Sequence, residues 1–181
     1  MKIKNYDIYF HNALDESSKN PEAQITETSP INFRKQSVEI CIPACLTTST
    51  VGELSDSEGN EYFRYRCDKN NLDLGVYIYE DYNERRIRQR YESHLLKVSP
   101  SEMTQRLELN AELQEMPVVL PSHTDLDLFR HISEVENTFR ALSLVRLQHV
   151  NIIFDFSCPN CNSNRWLKAV IEIINSAKVV S

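Results

Sequence analysis

The sequence predicts an α+β fold. Three observations carry this: strand-like alternation dominates the first half, helical spacing dominates the second, and one strand-like run, "HVNIIFDF" at 149–156, returns late. The expected architecture is a small antiparallel sheet from the N-terminal half, packed against helices from the C-terminal half, with one late strand. No βαβ alternation and no internal repeat is visible, and 181 residues suit a single domain over 1–181.

Residues 6–10 read as a short strand. Residues 12–31 are polar, contain Pro21 and Pro30, and read as a surface loop. "SVEICI" at 37–42 places Val38, Ile40 and Ile42 on one side of a strand that Pro43 ends. "EYFRYRC" at 61–67 and "DLGVYIYE" at 73–80 flank the turn residues "DKNN" and predict a hairpin. Its alternation separates Tyr62, Arg64 and Arg66 from Phe63, Tyr65 and Cys67.

Ile87, Tyr91, Leu95 and Leu96 predict an amphipathic helix over 82–97. Ser99-Pro100-Ser101-Glu102 is a helix start, with Ser99 as cap, and Pro117 would stop that helix. Leu128, Ile132, Val135, Phe139 and Leu142 recur at steps of four and three and predict a helix whose stripe faces the core. A last helix over 164–176 would bury Trp166, Leu167, Val170, Ile171 and Ile174.

Apolar residues are 41% and charged residues 25%, enough to bury a core. Only Gly52, Gly59 and Gly75 are glycines, so the phosphate loops of P-loop and Rossmann proteins are excluded. The G-x-S-x-G elbow and HExxH are absent from the sequence. The net charge of -6 disfavours long-range attraction to nucleic acid or anionic lipid. A cytoplasmic location is expected: no secretory h-region follows the first lysines, no apolar run would span a membrane, and five cysteines suit a reducing compartment.

Cys158-Pro159-Asn160-Cys161 falls between a predicted strand and a predicted helix. Helix amides and the dipole would stabilise a thiolate there. The segment "IIFDFSCPNCNSNRWLKAVIEII" resembles the active-site stretch of thioredoxin-like oxidoreductases. The resemblance implies Cys158 as nucleophile and Cys161 as resolving thiol. It is confined to this stretch: that family continues with further strands and a cis-proline loop, whereas no proline follows Cys161 here. Structural zinc is the rival use of the pair, with Cys41 and Cys45 completing four ligands and Cys67 or a histidine able to substitute. The plain alternative is that the cysteines are packed and inert. A triad of Cys45, His149 and Asp155 fails on geometry, because six strand steps separate His149 from Asp155 by roughly 20 Å.

"NERRIRQRYESH" carries Arg85, Arg86, Arg88 and Arg90. With Tyr82, Tyr91, Arg64 and Arg66 they compose a basic and aromatic surface, suited to phosphate or to a protein hot spot. Interleaved Glu80, Asp81, Glu84 and Glu92 would temper it. The leading expectation is a non-enzymatic macromolecule-binding protein without cofactor, of the inhibitor, immunity or effector kind, whose partner is another protein. Nucleic acid is the alternative partner, and a thiol-redox or zinc protein the alternative class.

Overall fold

The computed structural model describes residues 2–3, 21–33, 36–48, 61–98, 125–126, 128–133, 136–147 and 150–180. The expected strand at 6–10, the helix start at 99–102 and its continuation to 116 lie outside them. The elements are β1 (Lys2–Ile3), β2 (Ile25–Phe33), β3 (Gln36–Pro43), β4 (Thr47–Thr48), β5 (Glu61–Cys67), β6 (Leu72–Glu80), α1 (Glu84–Val98), β7 (Asp125–Leu126), β8 (Leu128–Ser133), β9 (Thr138–Leu147), β10 (Val150–Pro159), α2 (Ser163–Ser176) and β11 (Lys178–Val180). Two antiparallel sheets and two helices make a mixed α+β fold among the described residues.

The larger sheet has the order β4-β5-β6-β10-β9-β8, and the smaller has the order β11-β3-β2. The two-residue strands β1 and β7 pair with each other in parallel. The late strand β10 is thus central, with β6 on one side and β9 on the other. Alternation sends Val150, Ile152, Phe154, Phe156 and Cys158 to one face. There they join Leu74, Val76, Ile78, Phe139 and Ala141 in the main core.

Helix α2 supplies Trp166, Leu167, Val170, Ile171 and Ile174 to that core, as its spacing predicts. It also buries Ala169 and Ile173, because it touches both sheets: Val38, Ile40 and Ile42 of β3 belong to the same core. A hydrogen bond of 3.0 Å between Ser29 Oγ and Tyr65 Oη joins the small sheet to the large one. The opposite face of the large sheet packs Tyr79, Leu142, Leu144 and Ile153 under Ile87, Tyr91 and Leu95 of α1.

Two expectations are corrected. The helix with the stripe from Leu128 to Leu142 is instead the hairpin β8–β9, with His131 opposite Arg140 and Ile132 opposite Phe139. Its turn holds Asn137 at φ 50°, a left-handed conformation that asparagine tolerates. The cause lies in β9, which is buried on both faces: Phe139, Ala141 and Val145 face one core, and Leu142 and Leu144 the other. A strand covered on both sides reads as an apolar run without period two. Val135 lies outside the described residues.

The loop expected over 12–31 is corrected for its last part. Residues 25–33 form β2, and Pro30 sits opposite Glu39. Proline lacks the donor for a second ladder, and β2 has a neighbour on one side only among the described residues, the position a strand proline requires. The hairpin β5–β6 follows its prediction, closing through Asp68–Asn70 and Asn71, the latter at φ 50°.

Candidate functional site

The basic and aromatic residues fall into separate places. Asn83 caps α1: its Oδ1 accepts from the amides of Arg85 at 3.0 Å and Arg86 at 3.4 Å. Asp81 in turn accepts from the Asn83 amide at 2.8 Å. The buried Asn151 side chain on β10 donates to the Asp81 carbonyl at 3.0 Å. These bonds fix the turn from β6 into α1 and leave Tyr82 pointing outward, 75% exposed. Arg85 and Arg86 are exposed beside it. Arg146 of β9 pairs with Glu84, which ties the first turn of α1 to the sheet.

The other members of the predicted surface lie elsewhere. Tyr91 is corrected from surface to core: it is 1% exposed, on the α1 stripe with Ile87 and Leu95. Arg88 and Arg90 are half-buried, and Arg90 lies 5.0 Å from the ring centre of Tyr79. Arg64 and Arg66 share Asp73: Arg64 Nε donates to its Oδ1 at 2.8 Å, and Arg66 Nε to its Oδ2 at 3.2 Å. Asp73 is seven residues before Glu80 on β6, roughly 23 Å along the strand. Arg64 and Arg66 therefore belong to the other end of the sheet, and only Tyr82, Arg85 and Arg86 form a compact exposed group.

A second polar group lies on the same face of the large sheet. Arg140 Nη2 donates to Asp155 Oδ2 at 2.6 Å. Tyr62 and Tyr77 stack at 4.4 Å across Gly75, where a Cβ would come within 3.2 Å of both rings. His94 of α1 meets Tyr77 edge-on at 4.4 Å. Burial pushes Asp155 up, against the opposing pull of Arg140. Burial, with Lys97, Arg140 and Arg90 nearby, pushes His94 down to about 4, so it is neutral at pH 7.

The cysteines are not arranged as the CPNC motif suggests. Cys158 belongs to β10 itself, opposite Phe139, and is 2% exposed. Burial first, and Cys161 second, push its thiol up to about 12. That is the reverse of the lowered thiol that the thioredoxin-like resemblance implies. Cys161 is exposed in the short turn before α2. The Cys41 amide donates to Ser176 Oγ at 2.7 Å, at the far end of α2 from Cys161. Fourteen helical residues separate those ends by about 20 Å. Cys41 and the Cys158–Cys161 pair therefore cannot ligate one zinc ion in this arrangement. Cys45 Sγ donates instead to the Glu22 carbonyl at 3.7 Å. No group of three or more metal-type side chains converges among the described residues.

Cys45 and Asp155 lie on opposite sides of the large sheet: Cys45 packs on the main core, while Asp155 is beside Arg140 under α1. An open cleft of about 440 Å³ lies beyond Cys158, bordered by Arg66, Asp68, Asp73, Glu136 and Ser157. No helix among the described residues is long and apolar enough to cross a membrane. The sequence matches no protein-family model and no curated protein.

Proposed function

We propose that the protein is a non-enzymatic binding protein of the inhibitor, immunity or effector kind, which docks on another protein through Tyr82, Arg85 and Arg86. The supporting observation is their position. The first turn of a helix carries a positive dipole end, and cations there cost roughly 0.3–1 kcal/mol each. Arg85 and Arg86 occupy that turn, exposed, while its one acidic residue, Glu84, is engaged by Arg146. The exposed tyrosine adds apolar and aromatic area beside the two arginines. Residues that break a local rule without a gain in stability are candidates for function. Tyrosine and arginine are also the residue types that anchor protein interfaces.

The test is affinity capture from the source cells with the parent chain and with Tyr82→Ala/Arg85→Ser/Arg86→Ser. The reading expects a discrete protein that binds the parent, persists after nuclease treatment and is lost with the variant. Equal capture by both chains would remove this surface. Capture abolished by nuclease would transfer the reading to nucleic acid, through the same two arginines.

A further inference from the structure

The charge of the chain is unevenly placed. Helix α1 holds Arg85, Arg86, Arg88, Arg90 and Lys97 against Glu84 and Glu92. Five cations against two carboxylates make +3 in a chain of -6, so the rest of the chain carries -9. At the head of the helix the carboxylates are engaged or half-buried. Asp81 accepts from the Asn83 amide at 2.8 Å, Glu84 pairs with Arg146, and Glu80 is half-buried at the end of β6. Arg85 and Arg86 are exposed. Their backbone amides are already taken by Asn83 Oδ1, so the head offers a partner its guanidinium groups rather than its helix-end amides.

We propose that the partner is a protein with an acidic face, whose carboxylates accept from the guanidinium groups of Arg85 and Arg86 around the Tyr82 ring. This rests on the docking reading given above and names the kind of partner it requires. Charge-assisted bonds from arginine to a carboxylate are among the stronger polar contacts, and arginine makes them two at a time. The acidic remainder of the chain repels the same partner, so approach through the head of α1 is the favoured orientation. A nucleic acid fits less well. Its charge continues past a patch of two exposed arginines and would meet the -9 of the remainder. A folded protein can confine its carboxylates to the area that the head covers. Exposed charges act over about 10 Å in 0.1 M salt, so the contact is short-ranged and weakens as salt rises.

The experiment is quantitative affinity capture from source cells, before and after nuclease treatment, between about 0.05 and about 0.5 M salt. It compares the parent with Tyr82→Ala, Arg85→Lys/Arg86→Lys, Arg85→Ser/Arg86→Ser and Arg85→Glu/Arg86→Glu. The proposal expects one nuclease-resistant protein whose capture falls in the order parent, Arg→Lys pair, Arg→Ser pair, Arg→Glu pair, and falls several-fold for the parent as salt rises. It also expects a zero-length carbodiimide to join Asp or Glu side chains of that protein to the Arg85→Lys/Arg86→Lys chain at those two positions. Acidic residues suit the first turn of a helix, so the Arg→Glu pair should melt no lower than the parent, and its lost capture is a loss of docking. Equal capture by the Arg→Ser and Arg→Glu pairs, or a parent indifferent to salt, would overturn the acidic partner; if Tyr82→Ala still abolishes capture, docking at this surface survives without it. Capture unchanged by every variant, or abolished by nuclease, would overturn both.

Discussion

Arg140 on β9 reaches across one strand spacing to Asp155 on β10, with 2.6 Å between Nη2 and Oδ2. The Asp155 side chain is 14% exposed, and its Oδ1 has no hydrogen-bond partner among the described residues. Arg140 is thus the main cation that offsets its burial, with Lys97 adding a smaller attraction. Arg140→Met is expected to cost about 1–3 kcal/mol at pH 7, the range for leaving a buried polar group uncompensated. Without Arg140 the carboxyl rises further and protonates in milder acid, so the deficit narrows as pH falls. Denaturant midpoints at pH 7 and 5 check this; an identical deficit at both would contradict it.

His94 makes an opposite contribution. Its folded value is about 4 against an ordinary 6.5, so the unfolded chain binds the proton more readily between those values. The stabilising effect of neutral His94 is complete above pH 6.5 and is lost as pH falls towards 4. His94→Phe keeps a ring against Tyr77 and removes the titration. Its stability curve is expected to be flatter than the parent's between pH 6.5 and 4. Parallel curves would show that His94 is not held neutral.

Phe139→Ala is expected to cost about 3–5 kcal/mol, because the side chain is 4% exposed in the main core. A loss under about 1 kcal/mol in denaturant melts would remove Phe139 from the core.

Phe139 also shows where the sequence was legible. Its burial followed from its apolar type, but its element did not. Val38, Ile40 and Ile42 declare a strand because polar residues alternate with them, and Phe63, Tyr65 and Cys67 do the same. Around Phe139 the alternation vanishes, since Leu142 and Leu144 are needed under α1. Asn137 was the available signal for the turn. The candidate site divides similarly. Tyr82, Arg85 and Arg86 are neighbours in the chain and remain so in space. Arg64 and Arg66 were added on composition, which carries no distance along β6. Tyr91 was both a stripe residue and a surface residue in the sequence, and packing with Ile87 and Leu95 decides for the stripe.

The CPNC thiols are expected to behave unequally. Cys161→Ser should change stability by less than about 0.5 kcal/mol, as for exposed positions. Cys158→Ser puts a hydroxyl into the apolar core and should cost about 1–3 kcal/mol. Thiol labelling of the native chain should modify Cys161 quickly and Cys158 only on unfolding. Equal labelling rates would contradict the strand position of Cys158.

The most direct measurement of the central claim is site-specific photo-crosslinking in the source cells, with a photoreactive phenylalanine in place of Tyr82. Lys168, half-exposed on α2, which packs on the other face of the large sheet from α1, provides the control position. The account predicts a discrete protein adduct from position 82 that is absent from position 168. Adducts of equal yield at both positions, or no protein adduct at 82, would contradict it.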